Sequence, residues 1–238
     1  MHACGMTSDN PFFFHPQALG NDGRADAMER IAVELEAEVE LMAWCDAVTT
    51  GVSLALTSKM CGLVPLLFRM CAKWVRDGCM DKVEDGPCGP VEVLLRPYGP
   101  ALLINPWNGP TAIGAHKIAS ALAAGAPCIM KPSEWAPHSC IVMARAIQQA
   151  GLPPGAFQLL LGDRHLGAVL LNDPRIQSIS FTGGLVGGQA CAAAAHLAFK
   201  PCQLELGGNN AFVVLPDADL DLAARGVVAA MTTVNGNW

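Results

Sequence analysis

Two motifs in the first part of the chain carry polar side chains that could bind a ligand, and each follows a short apolar run. The motif "NPWNGP" contains Asn108, whose amide could stabilise a developing oxyanion, although a loop asparagine can equally cap its own turn. The motif "KPSE" places Lys131 and Glu134 three residues apart. This pair could bond the hydroxyls of a ribose, or it could be an ordinary surface ion pair.

Two further motifs lie later in the chain, and each begins with a short apolar run. "SISFTGGLVGG" places Gly183 and Gly184 between a predicted strand and a predicted helix, where backbone N–H groups could bind a phosphate. The loop lacks the GxGxxG spacing, so it is weak evidence when taken alone. In "LELGGNN", Glu205 lies in a strand that is expected to be largely buried. A carboxylate there is either paired with a cation or used for proton transfer, and a purely structural role stays open.

Strands and helices alternate in the region that contains these motifs. Short apolar runs bounded by Gly, Pro or Asn predict six strands, and helical stretches separate most of them. This pattern predicts an α/β fold, an open, mainly parallel, Rossmann-like sheet with helices on both faces, where ligands bind at the carboxyl ends of the strands. The predicted strands are 101–105, 127–131, 157–161, 177–181, 203–206 and 211–215; the predicted helices are 111–123, 139–150, 165–171, 186–198 and a last one from its N-cap Asp217 towards Thr232.

The region before the sheet is predicted to be helical. From Ala25, apolar residues recur at helical spacing as far as Met42, which predicts one long amphipathic helix ending near Gly51. A second helix is predicted at Val64 to Arg76, followed by a loop at "EDGPCGPVE". The chain is therefore divided into a loose arm (1–24), a helical segment that packs on the cofactor domain (25–90) and a dinucleotide-binding domain (91–238).

The composition favours a globular enzyme. Of 238 residues, 52% are hydrophobic and 15% charged, and the net charge of −6 argues against a nucleic-acid partner. The N-terminal sequence does not resemble a secretory signal, and charged residues and a proline interrupt the apolar stretch from Val48 to Cys71, so we expect a cytoplasmic protein without a membrane span. The ten cysteines are then expected to be reduced, and no metal-ligand spacing occurs among them.

The ordered set of motifs resembles the aldehyde dehydrogenase superfamily. The segments "NPWNGP", "ALAAGAPCIMKPSE", "AGLPPGAFQLLLG", "SISFTGG", "LELGGNNAFVV" and "DADLD" carry this resemblance, which runs from Arg96 to Trp238 and extends more faintly before it. The resemblance implies NAD(P)-dependent oxidation of an aldehyde to a carboxylic acid. In that chemistry a cysteine thiolate attacks the aldehyde, and a glutamate later activates the water that releases the product.

The same resemblance implies roles for individual residues. Glu205 becomes the general base and Asn108 the oxyanion donor. NAD is the implied cofactor, and NADP is possible. NAD is preferred because the carboxylate of Glu134 near the ribose would repel the 2′-phosphate of NADP. The implied substrate partner is a small aldehyde, and full-length relatives form homo-oligomers. The implied cofactor-binding residues are Ile104, Pro106, Trp107, Lys131, Ser133, Glu134, Phe181, Thr182, Gly183, Gly184, Gly188, Leu206 and Gly207.

The sequence departs from the family pattern in three places. Gly184 replaces a frequent serine, and Asn209 replaces the more frequent lysine. The family's nucleophile lies in Asn-Gly-Gln-x-Cys, whereas this chain has "NGNW" at residues 235–238 and no cysteine after Cys202. We therefore expect a chain truncated just before the nucleophile, inactive alone and without the catalytic domain and part of the oligomer interface. The alternatives are a non-catalytic dinucleotide-binding module or regulatory subunit, and a relative that performs acyl transfer or reduces an acyl phosphate.

Overall fold

A layer of four helices precedes the sheet in the computed structural model, which describes residues 16–78 and 81–236. The helices are α1 (Gly20–Ala37), α2 (Val39–Thr50), α3 (Leu54–Gly62) and α4 (Val64–Arg76), with a short 3₁₀ turn at Pro16–Leu19 before them.

The start of this layer differs from the prediction. The helix expected from Ala25 begins at Gly20, because the turn around Arg24 is buried and ordered by the core. It is also interrupted at Glu38, whose N–H bonds to the Leu35 carbonyl three residues back, so that two helices form instead of one. Residues 1–15 of the predicted arm lie outside the described residues.

The α3–α4 region contains one helix that was predicted and one that was not. The bounds of α4 agree with the prediction, whereas α3 was missed because Thr57 and Cys61 are the only buried residues in it, which leaves no readable periodicity. By length and composition alone, Leu54–Arg76 is apolar enough to cross a membrane, with a mean hydropathy of 1.4. In the structure this stretch is two helices, and Cys61 and Phe68 lie in the core. The absence of a membrane partner remains a prediction.

A β-hairpin occupies the segment that was predicted to be a loop. Strands β1 (Asp81–Gly86) and β2 (Gly89–Leu94) pair in antiparallel register, with Gly86 opposite Gly89. Gly89 has a φ of 117°, which glycine adopts without strain, so the Pro87-Cys88 turn can reverse the chain. Almost every residue of the hairpin is exposed, so no alternation of buried and exposed positions indicated strands. The predicted domain boundary at 90/91 falls inside β2, and the division into domains remains a prediction.

A parallel five-stranded sheet forms the second half of the described chain, with the strand order β5-β4-β3-β6-β7. Helices cover both of its faces, which confirms the predicted fold class. The strands are β3 (Ala101–Ile104), β4 (Cys128–Lys131), β5 (Phe157–Leu159), β6 (Ser178–Gly183) and β7 (Cys202–Leu206); the helices between them are α5 (Pro110–Ala124), α6 (His138–Gln149), α7 (Arg164–Leu171) and α8 (Leu185–Leu197).

Two apolar clusters flank the sheet because side chains alternate along each strand. Leu103 and Met130 belong to the larger cluster, which also contains the buried residues of α1, α4, α5 and α6. Leu102 and Ile129, their neighbours along the strands, belong to the smaller cluster, which includes Phe181 and residues of α7 and α8. The sheet is therefore buried on both faces at its centre, as expected for parallel strands.

The last part of the chain departs from the prediction. Residues 211–215 form no strand, because no neighbouring strand lies beside them to satisfy their backbone groups within the described chain, and all five residues are exposed. The final helix, α9 (Leu220–Thr232), is capped by Asp219 rather than Asp217. Asp219 is the residue with extended backbone, and its carboxylate accepts a hydrogen bond of 2.9 Å from the Leu222 N–H.

A buried carboxylate, Asp46, links α2 to the start of α5. Its Oδ2 accepts hydrogen bonds from the Thr111 N–H at 3.4 Å and from the Cys61 thiol at 3.9 Å, whereas Oδ1 has no partner within the described chain. Burial raises the pKa of Asp46, and the nearby hydroxyls of Ser139 and Thr111 oppose the rise without making well-formed hydrogen bonds. The folded chain therefore holds the proton of Asp46 more tightly than an unfolded chain does.

The raised pKa of Asp46 predicts that stability decreases as pH rises. The folded state holds this proton more tightly than the unfolded state, so the stabilising contribution is complete below the ordinary aspartate pKa and is lost as pH rises through the folded value. We expect Asp46→Asn, which mimics the protonated form, to flatten the dependence of the unfolding free energy on pH in this window. Urea unfolding at a series of pH values measures this, and an unchanged slope would contradict it.

Candidate functional site

The four sequence motifs lie at one edge of the sheet. In the parallel register, Ile104 at the end of β3 is opposite both Lys131 of β4 and Phe181 of β6. Thr182 of β6 is in turn opposite Glu205 of β7. Since these four strands end together, the loops that follow them open on the same side, where open α/β sheets bind ligands.

Lys131 is a buried cation at this edge. Its Nζ donates a hydrogen bond of 2.8 Å to the Pro132 carbonyl and lies 3.8 Å from the exposed Glu134 carboxylate. Burial lowers the pKa of Lys131, while Glu134 and Asp163 oppose the shift. The half-buried Ser133 accepts a hydrogen bond of 3.3 Å from the Trp135 N–H. An ammonium group has three donors, so Lys131 retains the capacity to bind a hydroxyl group of a ligand.

The glycine loop between β6 and α8 is shaped by close contacts with Phe181. A Cβ on Gly183 would lie 2.8 Å from the Phe181 ring, and one on Gly188 would overlap the end of the Leu206 side chain, so a larger residue at either position would force that side chain to move. Thr182 is half-buried beside them. Gly184 is the N-cap of α8, makes no side-chain cap and has open space where a Cβ would be. The first N–H groups of α8 therefore face an open approach that suits a phosphate.

The "NPWNGP" loop connects β3 to α5. Pro106 is buried, Trp107 is 43% exposed and Asn108 is half-buried. The preceding Asn105 holds the loop, because its Nδ2 donates a hydrogen bond of 2.7 Å to the Pro110 carbonyl. Asn108 thus lies on a braced turn at the carboxyl edge, close to the start of α5.

Glu205 is exposed, and the prediction that it is largely buried is wrong. It lies on β7, which is the edge strand of the sheet and pairs with β6 on one side only. The residues that follow, Leu206 and Gly207, are also exposed, and residues 211–215 do not cover the strand. The carboxylate is therefore accessible to water.

Lys117 is a functional candidate that the sequence analysis missed. It lies in α5 with 8% of its surface exposed, and its Nζ donates a hydrogen bond of 2.7 Å to Ser180 Oγ, which donates in turn to Gln203 at 2.9 Å. Burial lowers its pKa to about 8, although the charge of Glu205 opposes the shift. The available signal was a single cation inside the apolar helix "AIGAHKIASALAA". An amine with this pKa can hold or release a proton near neutral pH.

The carboxyl edge is open rather than enclosed in the described chain. Two cavities lie elsewhere: a small apolar one lined by Met28, Ile31 and Leu122, and a polar one beside Arg24. The exposed positions of Gly184, Gly207 and Gly208 leave room at the edge, since a Cβ at any of them would meet nothing within 4 Å. Together with Lys131 and the uncapped start of α8, these residues fit an extended dinucleotide.

The "NGNW" motif is described only in part. Asn237 and Trp238 lie outside the described residues. Asn235 has a positive φ of 56°, and its Nδ2 donates a hydrogen bond to the Gly51 carbonyl in the α2–α3 connection. The end of α9 is thereby attached to the helical layer.

Comparisons with known proteins agree with this geometry. The family model described as "Aldehyde dehydrogenase family" matches residues 17–238. Geranial dehydrogenase of Castellaniella defragrans is 33% identical over 220 residues, which are 92% of this chain and 46% of that protein. The structure of aldehyde dehydrogenase C from Pseudomonas syringae, complexed with NAD⁺ and octanal, is 30% identical with a TM-score of 0.85, covering 92% of this chain and 45% of that one. An NADP-dependent enzyme of E. coli is 27% identical with a TM-score of 0.87, covering 94% and 47%.

The chain thus spans about half the length of these relatives. The matched residues 17–238 nevertheless include all five strands of the parallel sheet and the glycine loop. The chain belongs to the aldehyde dehydrogenase family.

Proposed function

We propose that this chain provides the NAD(P)-binding part of an enzyme that oxidises an aldehyde to a carboxylic acid. The supporting observation is the common register of β3, β4, β6 and β7, which brings Asn108, Lys131, Gly183 and Glu205 to one edge of the sheet. Because the chain belongs to the aldehyde dehydrogenase family, we infer that the cofactor and the aldehyde bind at this edge. The substrate aldehyde, the homo-oligomeric assembly and the cytoplasmic location are parts of this proposal.

The residues of the chain have separable roles. The Asn108 amide donates a hydrogen bond to the oxygen of the carbonyl under attack, where negative charge develops. Glu205 is accessible to water and takes the proton of the hydrolytic water molecule. Its negative charge also opposes the lowering of the pKa of the buried Lys117 amine. NAD(P)⁺ supplies the hydride acceptor when it is bound. No cysteine follows Glu205 in the sequence, so these roles include the cofactor and the base but not the covalent step.

NAD is the proposed cofactor in preference to NADP. Glu134 is exposed and lies 3.8 Å from Lys131, at the position where a ribose is proposed to bind. Its carboxylate can accept hydrogen bonds from both ribose hydroxyls, whereas a 2′-phosphate would meet like charge. We expect the chain to bind NAD more tightly than NADP in parallel titrations, and the opposite order would contradict this assignment.

Replacement of Lys131 tests the cofactor site. A hydrogen bond from a charged donor contributes roughly 1.5–3 kcal/mol, so Lys131→Gln is expected to weaken NAD binding about tenfold to a hundredfold. Calorimetric titration of the purified chain with NAD measures the change. Lys59→Gln is the control, because Lys59 is an exposed lysine on α3, away from the sheet edge. Equal NAD affinities for the two variants, both folded by circular dichroism, would overturn the proposed site.

A second candidate function is a non-catalytic dinucleotide-binding module that acts in a complex. One observation favours it: large apolar side chains are exposed at Phe212, Leu215 and Met231. An exposed apolar surface of this kind suits a protein partner. Cofactor binding without turnover by a monodisperse chain would support this reading.

A further inference from the structure

A polar cavity of about 180 Å³ lies near the amino ends of the strands, whereas the proposed cofactor site lies at their carboxyl ends. It is lined by Gly20, Asn21 and Arg24 of α1, by Asp81 and Arg96 at the base of the hairpin, and by the C-terminal end of α5. Helix α5 starts at the carboxyl edge, after β3, and ends before β4, at the amino edge. The cavity is therefore separate from the loops that carry Asn108 and Gly183.

Arg24 is a buried cation in the wall of this cavity. It is 6% exposed, its Nη2 donates a hydrogen bond of 2.8 Å to Asn21 Oδ1, and its buried Nε has no partner within the described chain. Burial lowers the pKa of Arg24, and the neighbouring charge of Arg96 adds to the shift while Asp81 opposes it. A guanidinium group stays charged in proteins, so this buried charge calls for an anionic partner.

The carboxylate of Asp81 acts on Arg24 through its charge, but within the described chain it makes no hydrogen bond or ion pair with Arg24. Asp81 pairs with Arg96 at 2.7 Å and also accepts a hydrogen bond of 3.2 Å from the Leu95 N–H. Of the other acidic residues on α1, Asp26 and Glu29 pair with arginines of α4. Asp22 is exposed and, within the described chain, makes no hydrogen bond or ion pair with Arg24 or Arg96. One carboxylate therefore faces two guanidinium groups.

We propose that the cavity between Arg24 and Arg96 binds a small oxyanion, specifically a phosphate group. Guanidinium groups present N–H donors in a planar fork that matches phosphate oxygens, and each of these two has donors left over after its bonds within the described chain. The Asn21 amide adds N–H donors, because its oxygen is the atom that accepts from Arg24. A tetrahedral phosphate offers enough acceptors for all three side chains, and the cavity has room for it.

Titration with inorganic phosphate tests this site. We expect saturable binding, measured by calorimetry on the purified chain at low ionic strength. Arg96→Gln is expected to weaken the affinity by at least about tenfold, because it removes one charged donor from a half-exposed position where the fold tolerates change. Arg76→Gln is the charge-matched control and should leave the affinity unchanged, since Arg76 lies on α4 and pairs with Asp26 and Glu29.

Two further variants test the role of the Asn21 amide and distinguish this site from the proposed cofactor site. Asn21→Ala retains both arginines and should weaken phosphate binding, because it removes the amide donors, and circular dichroism establishes that this variant is folded. Lys131→Gln alters the carboxyl edge and should leave phosphate binding intact, which separates this site from the proposed cofactor site. Equal phosphate affinities for Arg96→Gln and Arg76→Gln would overturn the proposal, as would loss of binding in Lys131→Gln alone. Succinate binding as tightly as phosphate would overturn the assignment to phosphate.

Discussion

Purified alone, the 238-residue chain is expected to bind NAD and to form no detectable NADH from an aldehyde. The covalent step needs a thiolate close to the base, and no cysteine follows Glu205 in this sequence. In enzymes whose catalytic residues act together, removal of the nucleophile commonly lowers the rate by about 10⁴-fold to 10⁶-fold. This is the largest effect that we predict for the chain.

The two cysteines near the site are not suited to act as the nucleophile. Cys202 is three residues before Glu205 on β7, and burial raises the pKa of its thiol. Burial also raises the pKa of Cys191, on α8, to about 11. A reactive cysteine requires a lowered pKa, because the thiolate is the attacking species. Both thiols are therefore protonated near neutral pH and suited to packing.

The absorbance of NADH, followed while the chain is incubated with an aliphatic aldehyde and NAD, measures whether the chain oxidises the aldehyde. A full-length aldehyde dehydrogenase assayed under the same conditions is the positive control, and calorimetry on the same sample establishes that NAD is bound. Sustained NADH production by the chain, abolished in Glu205→Gln, would show that another group performs the attack. Bound NAD without turnover is the expected result.

Phe68→Ala is expected to destabilise the chain by about 3–5 kcal/mol, the usual range for a buried phenylalanine. Phe68 is fully buried in α4 and belongs to the apolar cluster that joins the helical layer to the sheet. Truncation removes its contacts and leaves a cavity that the surrounding α1, α4 and α5 cannot fill without moving. Urea unfolding followed by circular dichroism measures the difference in the free energy of unfolding.

Phe199→Ala is the matched control for this measurement. Phe199 is 93% exposed in the turn after α8, so the same substitution removes almost no buried contact. Its effect should stay within about 0.5 kcal/mol, as is usual for exposed positions. Similar losses of stability in the two variants would mean that the helical layer does not pack on the sheet as described.

The parts of the fold that could be predicted are those whose pattern is local. The strands from Ala101 to Leu206 alternate with helices, and each has a short apolar run bounded by Gly or Pro, so their order followed from the sequence. Helix α3 and the β1–β2 hairpin were missed because few of their residues are buried. Residues 211–215 have the composition of a strand, but a strand also needs a neighbour, which local sequence does not reveal.

The candidate site was predictable to a similar degree. The motifs predicted that Asn108 and Gly183 follow strands and that Lys131 and Glu205 lie within strands, near their ends. The topology then places all four at one edge. The exposure of Glu205 could not be predicted, because it depends on the position of β7 at the side of the sheet. The network from Lys117 through Ser180 to Gln203 was missed because it joins three elements that are distant in sequence.

The contact of Gly188 with Leu206 determines how closely α8 approaches β7. Because position 188 carries no side chain, α8 approaches β7 closely, and the Leu206 methyl groups occupy the volume that a Cβ would need. Glu205 is the next residue along that strand. The distance between the start of α8, where we propose that a phosphate binds, and Glu205 therefore depends on the glycine at position 188. A larger residue at position 188 would force the Leu206 side chain to move, next to Glu205 on the same strand.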